Sequence, residues 1–232
     1  MSSASFSSVP LSSRLLRTIR DVAIDNARQL LHEAPLLLRH HHHARAALLA
    51  RVAIEEVGRA VQAFDALGRN VTDEAVAMRV KLNFEDYSKR LNAAVFALLL
   101  EEPQRRDEVM AQIDDLIEAG QNPRDPALYT GVDSLTGRVT TPNGSIGPAA
   151  ASRRVALAKD IFARGEMLVL FTPPKLRTRA EDRAFALRPG ELIAARQGVE
   201  AWEVYIENIR AGDARFDSAL DEMRRRTTDG ER

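Results

Sequence analysis

The sequence predicts an all-α fold: an antiparallel helical bundle interrupted by one long irregular loop, with further helices at its C-terminal end. Three observations carry that expectation. Ala and Leu are abundant while aromatic residues make up only 5% of the chain, which favours helices over strands. Apolar residues recur at helical spacing through several long segments. Glycine and proline crowd into residues 121–148, where that period stops.

The first helix is expected from Ser13 to about Arg39, with Leu16, Ile19, Ala23, Leu30, Ala34 and Leu37 on its apolar face. Ser12 or Ser13 suits the N-cap, and Pro35 predicts a kink or break near the C-terminal end. A second helix runs from about Ala44 to Leu67, ended by Gly68 and Asn70. Thr72, Asp73 and Glu74 open a third, long one, with Val76, Val80, Phe84, Leu91, Val95, Leu98 and Leu99 on its face. Pro103 begins a fourth helix, stopped by Gly120.

Residues 121–148 then read as a functional or mobile loop, with a short hairpin expected around Arg138 to Thr141. Helical spacing resumes from Ala150 to Phe171 and ends at Pro173-Pro174. A last helix from about Pro189 to Ile209 carries Trp202 in a near-heptad stripe. The expected organisation is a disordered tail over 1–12, a single helical domain over 13–212, and a partly helical tail over 213–232.

A formal net charge of zero gives no global attraction to nucleic acid or acidic membranes. The bases are nearly all arginine, which suits bidentate phosphate binding or simply follows genome composition. Absence of cysteine excludes disulfides, thiolate catalysis and Cys-ligated zinc, and fits a reducing cytosol. The Ser-rich start lacks the apolar core of a signal peptide, and no apolar run reaches the ~20 residues that span a bilayer.

The densest charge pattern lies on the second helix. Glu55 and Glu56 precede Arg59 by four and three residues, so either acid reaches it along the helix. Such a set is a solvated salt bridge or, beside a strongly apolar face, a polar centre with a use. Asn26 stands in the first helix between Ala23 and Leu30, either as a buried amide needing partners or as a polar edge residue. His40 to His43 offer two metal ligands at most at helical spacing, and otherwise make a polar joint. No Glu has a His three residues later, which argues against a di-metal carboxylate site.

Taken in order, four pieces resemble the AbiV-type abortive-infection family of the HEPN superfamily, helical bundles of prokaryotic defence and toxin systems. They are NARQLL (26–31), ARAALLARVAIEEVGRA (44–60), FEDYSKRL (84–91) and LYTGVD (128–133). The resemblance covers roughly residues 15 to 170. It implies a cytoplasmic homodimer acting on RNA or the ribosome to block translation, without metal or other cofactor and without a membrane.

Many HEPN ribonucleases carry an Arg, four to six residues, then a His, and that motif is absent here. Where the family leads one to expect a His followed by a Lys, this chain has Tyr87 and Arg90. Tyr87 is a poor general base near neutral pH but could hydrogen-bond a phosphate, and Arg90 could neutralise one. The candidate site is therefore a polar centre of Glu55, Glu56, Arg59, Asn26, Tyr87 and Arg90 that binds or cleaves RNA. The alternative is a non-catalytic bundle for a protein or RNA partner, with the charges as structural ion pairs. The 121–148 loop and the Trp202 helix are a further expected contact, with a phage-encoded activator.

Overall fold

A computed structural model describes residues 9–121, 125, 127–132, 135–187 and 207. It confirms the all-α class. The helices are α1 (Ser13–Arg39), α2 (His43–Leu67), α3 (Glu74–Glu85), α4 (Tyr87–Ala94), α5 (Phe96–Glu101), α6 (Arg106–Gln121), α7 (Pro142–Ser145), α8 (Pro148–Phe171) and α9 (Arg179–Ala186). A 3-10 turn, Pro103–Arg105, leads into α6. Two-residue strands β1 (Gly131–Val132) and β2 (Val139–Thr140) pair antiparallel, placing Val132 opposite Val139. The expected last helix with Trp202 and the tail over 213–232 lie outside the described residues, apart from Glu207.

Contacts divide the chain into two compact units: Val80–Lys175 with the chain up to Leu67, and Gly68–Arg79 with the chain from Leu176. In the first, α1, α4 and α8 all pack on α2. The sequence of α2 explains its central place. Ala46, Ala47, Ala50, Ala53, Ile54, Val57, Ala60 and Ala63 are fully buried, so a broad apolar face covers rather more than half of the helix. Their small side chains let neighbours approach closely. Where α8 passes, a Cβ on Gly165 would fall 2.5 Å from Val57 Cγ1.

Ser12 caps α1, its hydroxyl accepting from the Leu15 amide at 3.1 Å. The helix continues through Pro35 to Arg39, so the break expected there does not occur. Pro35 has no N–H to give the Leu31 carbonyl, and the helix passes it with that bond missing. The histidine run forms the turn into α2. His41 takes a left-handed φ of 61°, and the His42 amide reaches back to the Leu37 carbonyl at 2.9 Å. Asn143 of α7 closes this turn: its side chain accepts from the Ala44 amide at 3.1 Å and donates to the His41 carbonyl at 3.2 Å.

The long third helix expected from Thr72 to Leu99 is three helices. Asp86 divides it by taking an extended conformation and accepting from the Lys89 amide at 3.0 Å, an N-cap for α4. Gly120, expected to stop the fourth helix, lies inside α6. In the second unit, the buried Asp182 accepts from the Asn70 amide at 2.9 Å and pairs with Arg69 at 3.3 Å. A capping box at Thr178 and Glu181 starts α9. Sequence periodicity had not marked this helix.

Candidate functional site

Arg51, Glu55, Glu56 and Arg59 project from α2 in the first unit, with successive residues about 100° apart. Tyr87 and Arg90 come from α4, whose backbone lies against α2 because residue 58 is glycine: a Cβ there would fall 1.9 Å from the Arg90 carbonyl oxygen. Asp125 comes from the loop after α6, and Arg154 from α8.

Glu55 is the centre of the buried part. Its two oxygens lie 3.9 Å from Arg51 Nε and 3.8 Å from Arg90 Nη2. Burial pushes its carboxyl above the ordinary carboxylate range, against the pull of Arg90, Arg51 and Arg59. Arg51 continues outward to Asp125, Nη2 to Oδ2 2.6 Å, and Asp125 Oδ1 accepts from the Ala127 amide at 2.8 Å. Burial, together with the like charge of Arg51, lowers the Arg154 guanidinium from its usual value, while Asp115 and Asp125 oppose the shift.

Tyr87 belongs to this buried part and does not turn outward. Its hydroxyl donates to the Leu116 carbonyl at 3.2 Å, and its ring lies where a Cβ on Gly120 would fall, 2.3 Å from the nearest ring atom. Burial first, then the Glu55 charge, pushes it up to about 12. The expectation that Tyr87 hydrogen-bonds a phosphate is thereby corrected: its hydroxyl is engaged inside the bundle. Asn26 also departs from expectation. It is exposed on α1, so it is the polar edge residue and not the buried amide.

Arg59 and Arg90 face the open side. Together with Ile19, Phe84 and Glu85 they line a pocket of about 440 Å³. Glu56, 12% exposed, holds Arg59 at 2.7 Å, while Arg59 itself is 38% exposed. Arg90 Nη1 donates to the Phe84 carbonyl at 2.6 Å. Its Nε is buried without a hydrogen-bond partner among the described residues, and its Nη2 contact to Glu55 is long, so Nη2 keeps donor capacity. Two arginines on one pocket, one oriented by Glu56 and the other by the Phe84 carbonyl, suit an anion with several acceptor oxygens.

The structure thus brings Glu55, Tyr87 and Arg90 together, sets Glu56 and Arg59 beside them, and leaves Asn26 outside. Sequence reasoning missed Arg51, Asp125 and Arg154. Arg51 stands four residues before Glu55, a helical pairing distance, and Asp125 precedes a proline, a turn-starting pair. Nothing in the sequence marks Arg154. Among the described residues no group of three or more His, Asp or Glu is placed to hold a metal ion, and no helix is long and apolar enough to cross a membrane.

The model of the AbiV family of HEPN domains matches residues 15–163. That span includes α1 from Leu15 onward, α2, α4 and every residue that lines the pocket. No curated protein and no solved structure matches the chain.

Proposed function

The chain belongs to the AbiV family of HEPN domains, an abortive-infection family, and on that premise we propose that it blocks translation during phage infection by binding RNA. The observation that supports this reading is the pair of guanidiniums, Arg59 and Arg90, on one pocket. A phosphate of single-stranded RNA supplies the acceptor oxygens those donors lack. Glu56 and the Phe84 carbonyl hold the arginines in place, so less side-chain freedom is lost on binding. Two copies acting together, on the ribosome or on free RNA in the cytoplasm, complete the proposal.

Cleavage is the second reading. The ribose 2′-OH attacks the adjacent phosphorus and the bond to the next nucleotide's 5′-oxygen breaks, leaving a 2′,3′-cyclic phosphate; water takes the 2′-OH proton and protonates the leaving 5′-oxygen, while Arg59 and Arg90 stabilise the charge that develops on the phosphoryl oxygens. Binding without cleavage is favoured by the pocket lining, which includes no histidine among the described residues, and by Tyr87, whose hydroxyl is committed to Leu116.

Inducible expression in a bacterial host, with sequencing of RNA ends and capture of bound RNA, tests both. Growth arrest with RNA captured by the wild type but not by Arg59→Ala supports the proposal. New ends in tRNA or rRNA that vanish in Arg90→Lys support cleavage. Growth arrest with no RNA captured and no new ends sinks the RNA reading altogether.

A further inference from the structure

When the buried pairs of the first unit are matched, the charge of Arg154 is left over. Ala151 clusters with Ala44 and Ala47, and a Cβ on Gly165 would meet Val57, so α8 runs parallel to α2. Residue 154 therefore stands level with the turn of α2 that leads to Arg51. Asp125 and Glu55 serve Arg51 at 2.6 Å and 3.9 Å, and Glu55 is shared with Arg90 at 3.8 Å. Three guanidiniums, Arg51, Arg90 and Arg154, thus stand against two carboxylates. Among the described residues Arg154 makes no hydrogen bond or ion pair, although it is half-buried. Asp115, an exposed acid of α6, acts on it only at longer range. An unpaired cation drawn partly out of water is costly. Burial, and after it the like charge of Arg51, lowers this guanidinium from its usual value. Its nitrogens still reach solvent, unlike the enclosed and unpartnered Nε atoms of Arg51 and Arg90. A full set of N–H donors is therefore open to a ligand.

Resting on the RNA reading above, we propose that Arg154 holds a second phosphate of the same strand, at a site separate from the Arg59–Arg90 pocket. The chain has no net charge, so a local surplus of cations is what draws a polyanion. That surplus sits at Arg154, and a guanidinium fork matches two phosphate oxygens at once. Glu55 links the two places, since it touches Arg90 of the pocket and Arg51 of the turn level with Arg154. The eight residues from Arg51 to Arg59 cover about 12 Å of helix axis. A stacked strand advances ~3.4 Å per phosphate, so that length spans roughly three or four nucleotides, and fewer when the bases are splayed. One strand therefore reaches both sites without a duplex.

Titration of the full chain with a labelled single-stranded RNA of about ten nucleotides, over a series of salt concentrations, tests this. Arg154→Ala breaks no hydrogen bond or ion pair among the described residues. It is expected to weaken binding roughly tenfold. The slope of log K against log salt should become shallower by about 0.7, the share of one phosphate on a single strand. Arg154→Lys keeps the charge and is expected to keep the slope. Arg59→Ala, at the other site, should lower the slope by a similar amount, and the two losses should add in the double variant. Unchanged affinity and slope in Arg154→Ala, or a slope that Arg154→Lys fails to keep, overturns the second site and leaves the RNA reading intact. Saturable binding of inorganic phosphate that Arg154→Ala abolishes, with RNA binding untouched, overturns it in favour of a free anion. A wild type that binds no RNA overturns both readings, so the two failures are distinguishable.

Discussion

The carbonyl oxygen of Arg90 occupies the space that a side chain at residue 58 would need, with 1.9 Å between it and the position of a Cβ on Gly58. The obstacle is backbone, so no rotamer change relieves it. Gly58→Ala must push α4 off α2, moving Tyr87 and Arg90 with it. The substitution is expected to destabilise the fold by about 3 kcal/mol, the upper range for overpacking. Urea unfolding checks this, and an unchanged midpoint would show that α4 does not pack as described.

Arg59 and Arg90 line the same pocket but differ in burial, and that difference separates their variants. Arg59→Ala removes a partly exposed cation whose pairing with Glu56 contributes at most about 1 kcal/mol. It should leave the melting temperature nearly constant while weakening RNA binding roughly tenfold or more. Arg90→Ala leaves Glu55 with one cationic neighbour fewer in a poorly solvated place, and should lower stability by roughly 3 kcal/mol as well as binding. Equal losses of stability in the two variants would contradict the burial difference.

Glu55 gives the bundle a pH dependence of definite sign. Its carboxyl is raised in the folded state by burial, so the folded chain holds a proton that the unfolded chain releases. Its favourable contribution is fully present below the unfolded value of about 4.3 and is lost as pH rises through the higher folded value. The stability of the wild type minus that of Glu55→Gln should therefore fall as pH rises above the ordinary carboxylate range. Taking the difference between the two proteins removes the opposite contribution of Glu102, which Arg105 and Arg164 hold below the usual carboxylate range. A difference that rises with pH would refute the sign.

Asp125 is a stability determinant outside the helices. Asp125→Ala removes both the partner of Arg51 and the acceptor for the Ala127 amide, leaving a cation that is 12% exposed with one neighbour fewer. The expected loss is about 3 kcal/mol. Chemical denaturation measures it, and a loss below about 0.5 kcal/mol would mean the pair is screened as a surface bridge is.

Apolar spacing made the helices legible because burial on one face is what that spacing encodes. It carried the first two helices and the one after the loop close to their ends. It failed at Asp86, where the period runs on but a side-chain oxygen competes for the backbone amide and starts a new helix. It also misjudged Gly120, placed there for the Tyr87 ring and not for a helix end. The acid pair and Arg59 were legible as a cluster because they are neighbours on one helix. The Arg51–Asp125 pair was not, since two residues far apart in sequence carry no sign of each other until the chain has folded.

Asn143 and Asp125 together give the irregular segment a character of its own. One end is staked to Arg51 through Asp125, and the other to the turn between the first two helices through Asn143. Ala127 and Ile146, both buried against Ala44 and Ala47, fix the same two points from the apolar side. The stretch between those anchors is a tethered span whose length the bundle scarcely senses, since doubling a loop adds only ~0.6 kcal/mol of closure entropy. A few residues added within that span should therefore leave the melting temperature nearly unchanged.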